Sequence, residues 1–234
     1  MTKVSVSDFK MTLAVCELRY ENAYLIYDRT GVVCSDLRKL FPSLTVVSAA
    51  PNQTILRTEE ESFAIELTQC RITSQKLDSK LELFASHGKR FFESVLYNLD
   101  IKAFTRIGLR VFFRRDLKDL DEAKAAFASL KLVNLAPVER FGAASEPHEI
   151  MLRWESNQIG ATLRLNAQSG AIDVLLTPET APEKPEIHKV LHGLFFDVDY
   201  YTVAAVERSQ WDAEAWIPQS IRTIRKSVDS IFGN

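Results

Sequence analysis

The run at residues 104–115, Phe-Thr-Arg-Ile-Gly-Leu-Arg-Val-Phe-Phe-Arg-Arg, alternates two chemistries with a period of two. Successive side chains of a β-strand point to opposite faces of a sheet, so this period predicts a strand. One face would be apolar and could build a core, with Ile107, Leu109, Val111 and Phe113. The other would carry cations between aromatic rings, in the order Phe104, Arg106, Gly108, Arg110, Phe112 and Arg114.

A row of arginines needs negative charge opposite it, either within the protein or on a partner. Asp197 and Asp199 share one face of a second predicted strand and could form a cross-strand ion-pair ladder with the arginines. Alternatively, the arginines could bind an anion or an acidic partner, because a guanidinium presents fixed donors that match phosphate and carboxylate. The sequence leaves both interpretations open.

Composition narrows the class of protein. The 234 residues are 46% hydrophobic, and 29 basic residues stand against 31 acidic ones, which argues against nucleic acid as the partner. No apolar run approaches the ~20 residues that cross a bilayer, and the N-terminus lacks the apolar segment of a secretory signal. Three scattered cysteines without a C-x-x-C pair (Cys16, Cys34 and Cys70) are typical of reduced thiols. We therefore expect a cytoplasmic protein that has no membrane contact.

Apolar periodicity predicts an α+β fold, mainly antiparallel sheet with long amphipathic packing helices. It suggests two related sheet-plus-helix halves, 1–135 and 136–234, joined by a loop at 136–147, while a single compact domain remains an alternative. Strands are predicted at 11–20, 23–27, 54–57, 62–75, 104–115, 149–155, 159–166, 171–177 and 194–206, with a turn at 168–170 and a loop at 177–185. Helices are predicted at 34–41, 78–98, 120–130 and 217–232.

The closing helix at 217–232 carries an apolar seam with steps of four and three residues. Its members are Ile217, Ile221, Ile224, Val228 and Ile231. Such a seam suits packing on the protein's own sheet, and it also suits pairing with a partner or with a second copy. A homodimer through this helix is therefore one of the predicted assemblies.

Motifs for catalysis or metal binding are weak. Asp197-Val-Asp199 lacks the phosphate loop that would accompany a Mg²⁺ site, and His188 and His192, expected on a short helix, lack the glutamate of zinc hydrolases. Cys34 is the one thiol worth testing, because it would open the helix at 34–41, with Ser35 or Asp36 near the N-cap, and the helix dipole there would lower its pKa. We predict no metal, no cofactor and no catalytic residue.

Three segments resemble a family of uncharacterised bacterial proteins of sporadic distribution. They are Phe-Thr-Arg-Ile-Gly-Leu-Arg at 104–110, Phe-Asp-Val-Asp-Tyr at 196–200, and the closing helix at 221–232, and a fourth segment, the helix followed by Phe-Pro at 36–42, resembles the family's early helix. The family is marked by a Thr-Arg-Leu-Gly-Leu-Arg strand and a Leu-Asp-Ile-Asp-Val-Tyr strand; here Val111-Phe112 replaces its usual tyrosine and polar residue. The resemblance implies a cytoplasmic α+β accessory protein of mobile or defence loci, and it assigns no active site.

The leading functional hypothesis is a non-catalytic binding or interaction protein. Its working surface would comprise Arg106, Arg110 and Arg114 with Phe104 and Phe112. Two alternatives come from other classes: a metal-assisted phosphoester or nucleotide enzyme built around Asp197 and Asp199, and a protein that holds a small apolar or anionic ligand between the sheet and a long helix.

Overall fold

The computed structural model describes residues 4–75, 80–132, 148–174 and 187–232, and of residues 170–174 and 187–190 the backbone alone. The predicted loops at 136–147 and 177–185 lie outside these ranges. Within these ranges there are four α-helices: α1 (Ile26–Leu40), α2 (Leu81–Asn98), α3 (Leu120–Ser129) and α4 (Ala213–Ile231). The strands are β1 (Lys10–Arg19), β2 (Thr45–Ala50), β3 (Gln53–Arg57), β4 (Glu61–Glu66), β5 (Gln69–Ser74), β6 (Ala103–Phe104), β7 (Arg106–Leu117), β8 (Glu149–Glu155), β9 (Ile159–Val174), β10 (Ile187–Thr202) and β11 (Val206–Glu207).

Nine of these strands form one antiparallel sheet, in the order β2-β3-β4-β5-β1-β7-β10-β9-β8. The short strands β6 and β11 pair separately. The predicted α+β class with a mainly antiparallel sheet is therefore confirmed. The sheet crosses the predicted boundary at residue 135, because β7 of the first segment pairs with β10 of the second.

The strand order is the same when it is read outward from the central pair, β1 and β7. On one side β1 is followed by β5, β4 and β3, and on the other β7 is followed by β10, β9 and β8. In chain order, the first strand of each set is followed by a helix: α1 comes after β1, and α3 after β7. The last strand of each set is followed by a helix as well: α2 comes after β5, and α4 after β10. Among the described strands of the sheet, β2 at one end is the one without a counterpart.

The core lies between one face of the sheet and the helices. Alternate residues of β1 and β7 are buried there, and all four helices contribute buried side chains to the same cluster. The apolar seam of α4 belongs to it: Ile217, Ile221, Ile224 and Val228 are buried within the chain. The seam thus packs on the protein's own core and is not available for the homodimer contact that was the alternative.

Three predictions in the first segment were wrong. Residues 23–27 form no strand, and the helix predicted at 34–41 begins earlier, at Ile26, so neither Ser35 nor Asp36 caps it. Ile26, Val33 and Leu37 lie on its buried side, and this packing outweighs the local preference of β-branched residues for strands. The strand predicted at 62–75 is a hairpin, β4 and β5, and the edge strand β2 was not predicted.

Two predictions in the second segment were also wrong. The turn at 168–170 is continuous strand, because β9 pairs with β10 along sixteen residues and Ser169 lies opposite His192. His188 and His192 therefore lie on β10 and not on a helix, so the helical spacing that would bring two imidazoles together is absent. Within the described ranges, no helix combines the length and apolar character needed to span a membrane.

Candidate functional site

Strand β7 has the two-faced character that its sequence predicts. Ile107, Leu109, Val111 and Phe113 are buried in the core. Arg110 is exposed on the opposite side of the sheet, and Arg106, Phe112 and Arg114 are partly exposed there. We call this side of the sheet, which the buried helix residues do not reach, the arginine face.

Phe104 does not lie on the arginine face. The extended alternation breaks at Thr105, whose N–H donates to the carbonyl of Arg19. Phe104 therefore sits in the separate strand β6, opposite Val206, and its buried ring lies 5.5 Å from the ring of Trp211. The predicted role of Phe104 in a binding surface was wrong because the period of two was extended past the end of the strand.

Arg106 is held by an acid and a ring of β10. Its Nη2 donates to both oxygens of Asp199, at 2.9 and 2.8 Å, and its Nη1 lies 3.5 Å from Oε1 of Glu17. The guanidinium stacks over the ring of Tyr201 at 4.5 Å. It also lies over Gly108, where an added Cβ would stand 3.4 Å from Nη1. Glycine at this position thus leaves room for the guanidinium to fold back onto the sheet.

Arg110 forms the second pair with β10. Its Nε donates to Oδ1 of Asp197 at 2.8 Å and its Nη2 to Oδ2 at 2.5 Å, while the guanidinium lies 4.7 Å from the ring of Phe112. The hydrogen bonds to Asp197 raise the pKa of Arg110, so it stays charged at any physiological pH. Asp199, and not Asp197, is directly opposite Arg110, so the Arg110–Asp197 pair is diagonal, offset by two residues, and Asp199 pairs with Arg106, four residues along β7 from the residue opposite it.

Arg114 does not continue this ladder. Its Nη2 donates to Oδ2 of Asp116, on the same strand, at 3.3 Å, and its Nε lies 2.8 Å from Oδ1. The residue opposite it on β10 is Phe195. The three arginines therefore divide into two that are paired across the sheet and one that is paired locally.

A groove of ≈ 360 Å³ crosses the arginine face over β5, β1, β7 and β10; we call it the arginine groove. Four arginines and two carboxylates line it, and two further carboxylates, Asp197 and Glu66, pair with Arg110 and Arg71 from beside the lining. Its other walls are mainly apolar. The lining residues are Leu13, Val15, Glu17, Arg19, Arg71, Thr73, Arg106, Gly108, Arg110, Phe112 and Asp199.

Sequence reasoning did not find Arg19 and Arg71, which lie on β1 and β5. Both alternate with buried neighbours, Leu18 on β1 and Cys70 with Ile72 on β5, so each could have been assigned to the outward side of its strand. Their approach to Arg106 depends on β1 lying between β5 and β7, and no local pattern encodes that order.

The carboxylates of Asp197 and Asp199 are engaged by guanidiniums. Among the described residues, no group of three or more His, Cys, Asp and Glu side chains is arranged to hold a metal ion. His192 Nδ1 lies 2.7 Å from Oγ of Ser169, as a strand-to-strand contact. The donor set around Asp197 and Asp199 is therefore suited to ion pairs with arginine.

The cysteines lie in surroundings that suppress the thiolate. Burial raises the pKa of Cys16 and of Cys70 well above the ordinary thiol range. Cys34 lies in the middle of α1, and partial burial raises its pKa as well, against the smaller opposing effect of Arg38. The prediction that a helix N-terminus lowers the pKa of Cys34 was wrong, because the helix begins eight residues earlier at Ile26.

A second depression of ≈ 290 Å³ lies on the helical side of the sheet, between α4 and the strands β8, β9 and β10. Its walls are largely apolar, and Trp154 on its rim is exposed. It corresponds to the space between the sheet and a long helix in which a small ligand was expected as an alternative. The residues include Trp154, Ile159, Ala161, Val198, Tyr200, Ile224 and Val228.

Comparison with known proteins does not assign this chain. Neither protein-family models nor curated proteins give a match. The resemblance carried by residues 104–110 and 196–200 therefore stays a prediction.

Proposed function

We propose that this chain is a non-catalytic binding protein that holds an acidic segment of a partner protein in the arginine groove. The observation that carries the proposal is the arginine-rich lining of the groove: four arginines against two carboxylates among the lining residues, on the side of the sheet away from the four described helices. A guanidinium with one bound carboxylate keeps further N–H donors for a second acceptor.

The arrangement of the groove favours an extended segment. Its walls run across four strands, and apolar side chains such as Leu13, Val15 and Phe112 lie between the cations. A strand-like peptide that alternates acidic and apolar residues would place carboxylates at the arginines and side chains against the apolar walls. Arg71 is the least constrained of the cations, with one ion pair of 3.4 Å to Glu66.

The proposal is tested with a fluorescent peptide of alternating glutamate and valine, titrated against the protein by anisotropy. Arg110→Ala is expected to leave the fold intact and to weaken binding about tenfold, the effect of one lost charge-assisted contact. Arg153→Ala is the matched control, because Arg153 is also paired with a carboxylate, Glu155, on the edge strand β8 outside the groove. Equal affinities for the two variants would contradict the proposal.

Salt dependence provides an independent readout. Exposed ion pairs are screened by salt, so binding in the groove is expected to weaken as NaCl rises. Peptide binding that does not change with the NaCl concentration would show that the arginines do not bind the peptide.

The cellular role is proposed on the resemblance alone: a cytoplasmic accessory component of a bacterial mobile or defence locus. Three free thiols, Cys16, Cys34 and Cys70, are consistent with a reducing compartment. The products of neighbouring genes are the first partners to test, in pairwise binding with the Arg110→Ala and Arg153→Ala variants.

A second candidate function is the binding of a small apolar ligand between α4 and the sheet. The observation that favours it is the ≈ 290 Å³ depression with its largely apolar walls. Anilinonaphthalene sulfonate is expected to bind there with increased fluorescence. Ser227→Phe would fill the depression and remove the signal, and an unchanged signal would reject this site.

A further inference from the structure

The two edge strands of the nine-stranded sheet differ in the charges that would prevent another strand from pairing with them. Strand β8, at one end, carries three charged residues: Glu149, Arg153 and Glu155. Strand β2, at the other end, reads Thr-Val-Val-Ser-Ala-Ala and carries none. Natural edge strands usually carry charges that prevent another strand from pairing with them.

Strand β2 is also the least covered strand of the sheet. All six of its side chains are exposed, on both faces. The core ends one strand earlier, at β3, where Thr54 and Leu56 are buried. Within the described part of the chain β2 pairs with β3 alone, so the backbone N–H and C=O groups of its outer edge are open to a further strand.

We propose that β2 is a self-association edge, through which two copies of the chain pair antiparallel about a two-fold axis. The two sheets of nine strands would then join into one continuous sheet. This inference does not depend on the arginine groove, which lies on strands β5, β1, β7 and β10.

Charge favours a second copy as the occupant. In a two-fold antiparallel contact, residue i of a strand faces residue j of the copy and j faces i, so a charged strand avoids like-charge contacts only in particular registers. β2 carries no charge and can meet itself in any antiparallel register without repulsion. β8 is restricted in this way, because a register that places Glu149 opposite Glu155 of the copy brings like charges together.

Preorganisation favours a second copy as well. The β2 strand of a second molecule is already extended in a hairpin with β3, joined by the two residues Pro51 and Asn52. A free peptide would lose conformational entropy on becoming a strand, whereas a second copy has lost it on folding. The contact is short, so the expected dimer is weak and depends on concentration.

The test is sedimentation velocity over a series of protein concentrations. The wild type is expected to rise from 26.5 kDa towards twice that mass. Val47→Lys would place two ammonium groups at the junction and should weaken dimerisation at least tenfold. Val47 is the bulged residue, left out of the regular pairing between Val46 and Ser48, so the β2–β3 hairpin should tolerate the change.

The matched control is Met151→Lys on the opposite edge strand, since Val47 and Met151 are equally exposed at 59%. This variant should dimerise like the wild type. Ser48→Lys serves as a second disruptive variant, with circular dichroism to confirm that each protein is folded. A wild type that stays monomeric throughout, or a folded Val47→Lys protein that dimerises normally, would overturn the proposal, as would loss of the dimer in Met151→Lys alone.

Salt separates this contact from the arginine groove. Because β2 has no charge, added NaCl should not weaken the wild-type dimer. Peptide binding in the groove should weaken under the same conditions. A dimer that dissociates on addition of salt would place the interface elsewhere and overturn the assignment to β2.

Discussion

Individual ion pairs of the arginine face are expected to differ in their contribution to stability. Asp199→Ala should lower the free energy of unfolding by about 1–2 kcal/mol, because it leaves the largely buried guanidinium of Arg106 with the longer contact to Glu17 as its ion pair among the described residues. Asp116→Ala removes the ion-pair partner of Arg114. Because the Asp116 side chain is half exposed, this change should alter the free energy of unfolding by less than about 0.5 kcal/mol. Urea unfolding of both variants checks this, and equal effects would contradict it.

Glu61 on β4 is expected to make stability fall as pH rises. Burial raises the pKa of its carboxyl above the usual 4.5, although the hydrogen bond to Nδ1 of His87, at 2.8 Å, opposes this. The unfolded chain releases this proton at lower pH than the folded one. The contribution is therefore complete below the unfolded pKa and is lost as pH rises through the folded pKa.

The measurement for Glu61 is a comparison with Glu61→Gln, which cannot titrate. The free energy of unfolding of the wild type, relative to this variant, should decrease with increasing pH from below 4.5 towards neutrality. Glu60→Gln is the neighbouring control, since Glu60 is more exposed and paired with Lys80. If this relative free energy of unfolding instead increased with pH, the hydrogen bond between Glu61 and His87, and not burial, would dominate the pKa shift of Glu61.

At the scale of the secondary-structure elements, two glycines should respond in opposite directions to alanine. Gly31 lies inside α1, and a Cβ there would meet nothing within 4 Å, so Gly31→Ala should stabilise by about 0.5–1 kcal/mol. A Cβ at Gly193 of β10 would stand 2.3 Å from the backbone carbonyl oxygen of Arg115. Gly193→Ala should therefore force β7 and β10 apart and lower the melting temperature, which thermal unfolding would show.

Helices and strands with a strong apolar periodicity were predicted well. Those whose conformation depends on the strands or the core they pack against were not. The alternation of β7 and the apolar stripe of α2 each identify one face to bury, so both were found. The first turns of α1 hold Thr30, Val32 and Val33, which favour strands locally, and the surrounding core decides otherwise. Ser169 and Gly170 resemble a turn, yet pairing with β10 keeps them extended.

The candidate site likewise contains residues that local periodicity identifies and residues that only the strand order brings together. Arg106, Arg110 and Arg114 follow from one strand, and the match of Arg106 and Arg110 with Asp199 and Asp197 follows from two strands of the same period. The contributions of Arg19 and Arg71 require the order β5-β1-β7, in which neighbours in the sheet are far apart in sequence. Phe104 was misplaced because alternation alone does not reveal where a strand ends.

For the whole molecule, the continuous sheet links two halves of similar topology. The central antiparallel pair β1–β7 joins them edge to edge, and α2 packs against α4 on the helical side. The ends of the chain also meet: the N–H of Val6 donates to Oδ1 of Asp229 at 3.0 Å, and Phe9 lies 5.9 Å from Phe232. These contacts cross the predicted boundary, so we expect both halves to unfold together.

The chain carries natural probes for this expectation. All three tryptophans, Trp154, Trp211 and Trp216, lie after residue 135, and all three cysteines lie before it. In a Cys34→Ser background, thiol reactivity reports the exposure of the buried Cys16 and Cys70, and hence the unfolding of β1 and β5. Tryptophan fluorescence reports the second half. Coincident urea midpoints are expected, because separating β1 from β7 would expose the core of both halves at once. Thiols that react at lower urea than the fluorescence change would instead show two independently stable domains, divided as the sequence first suggested.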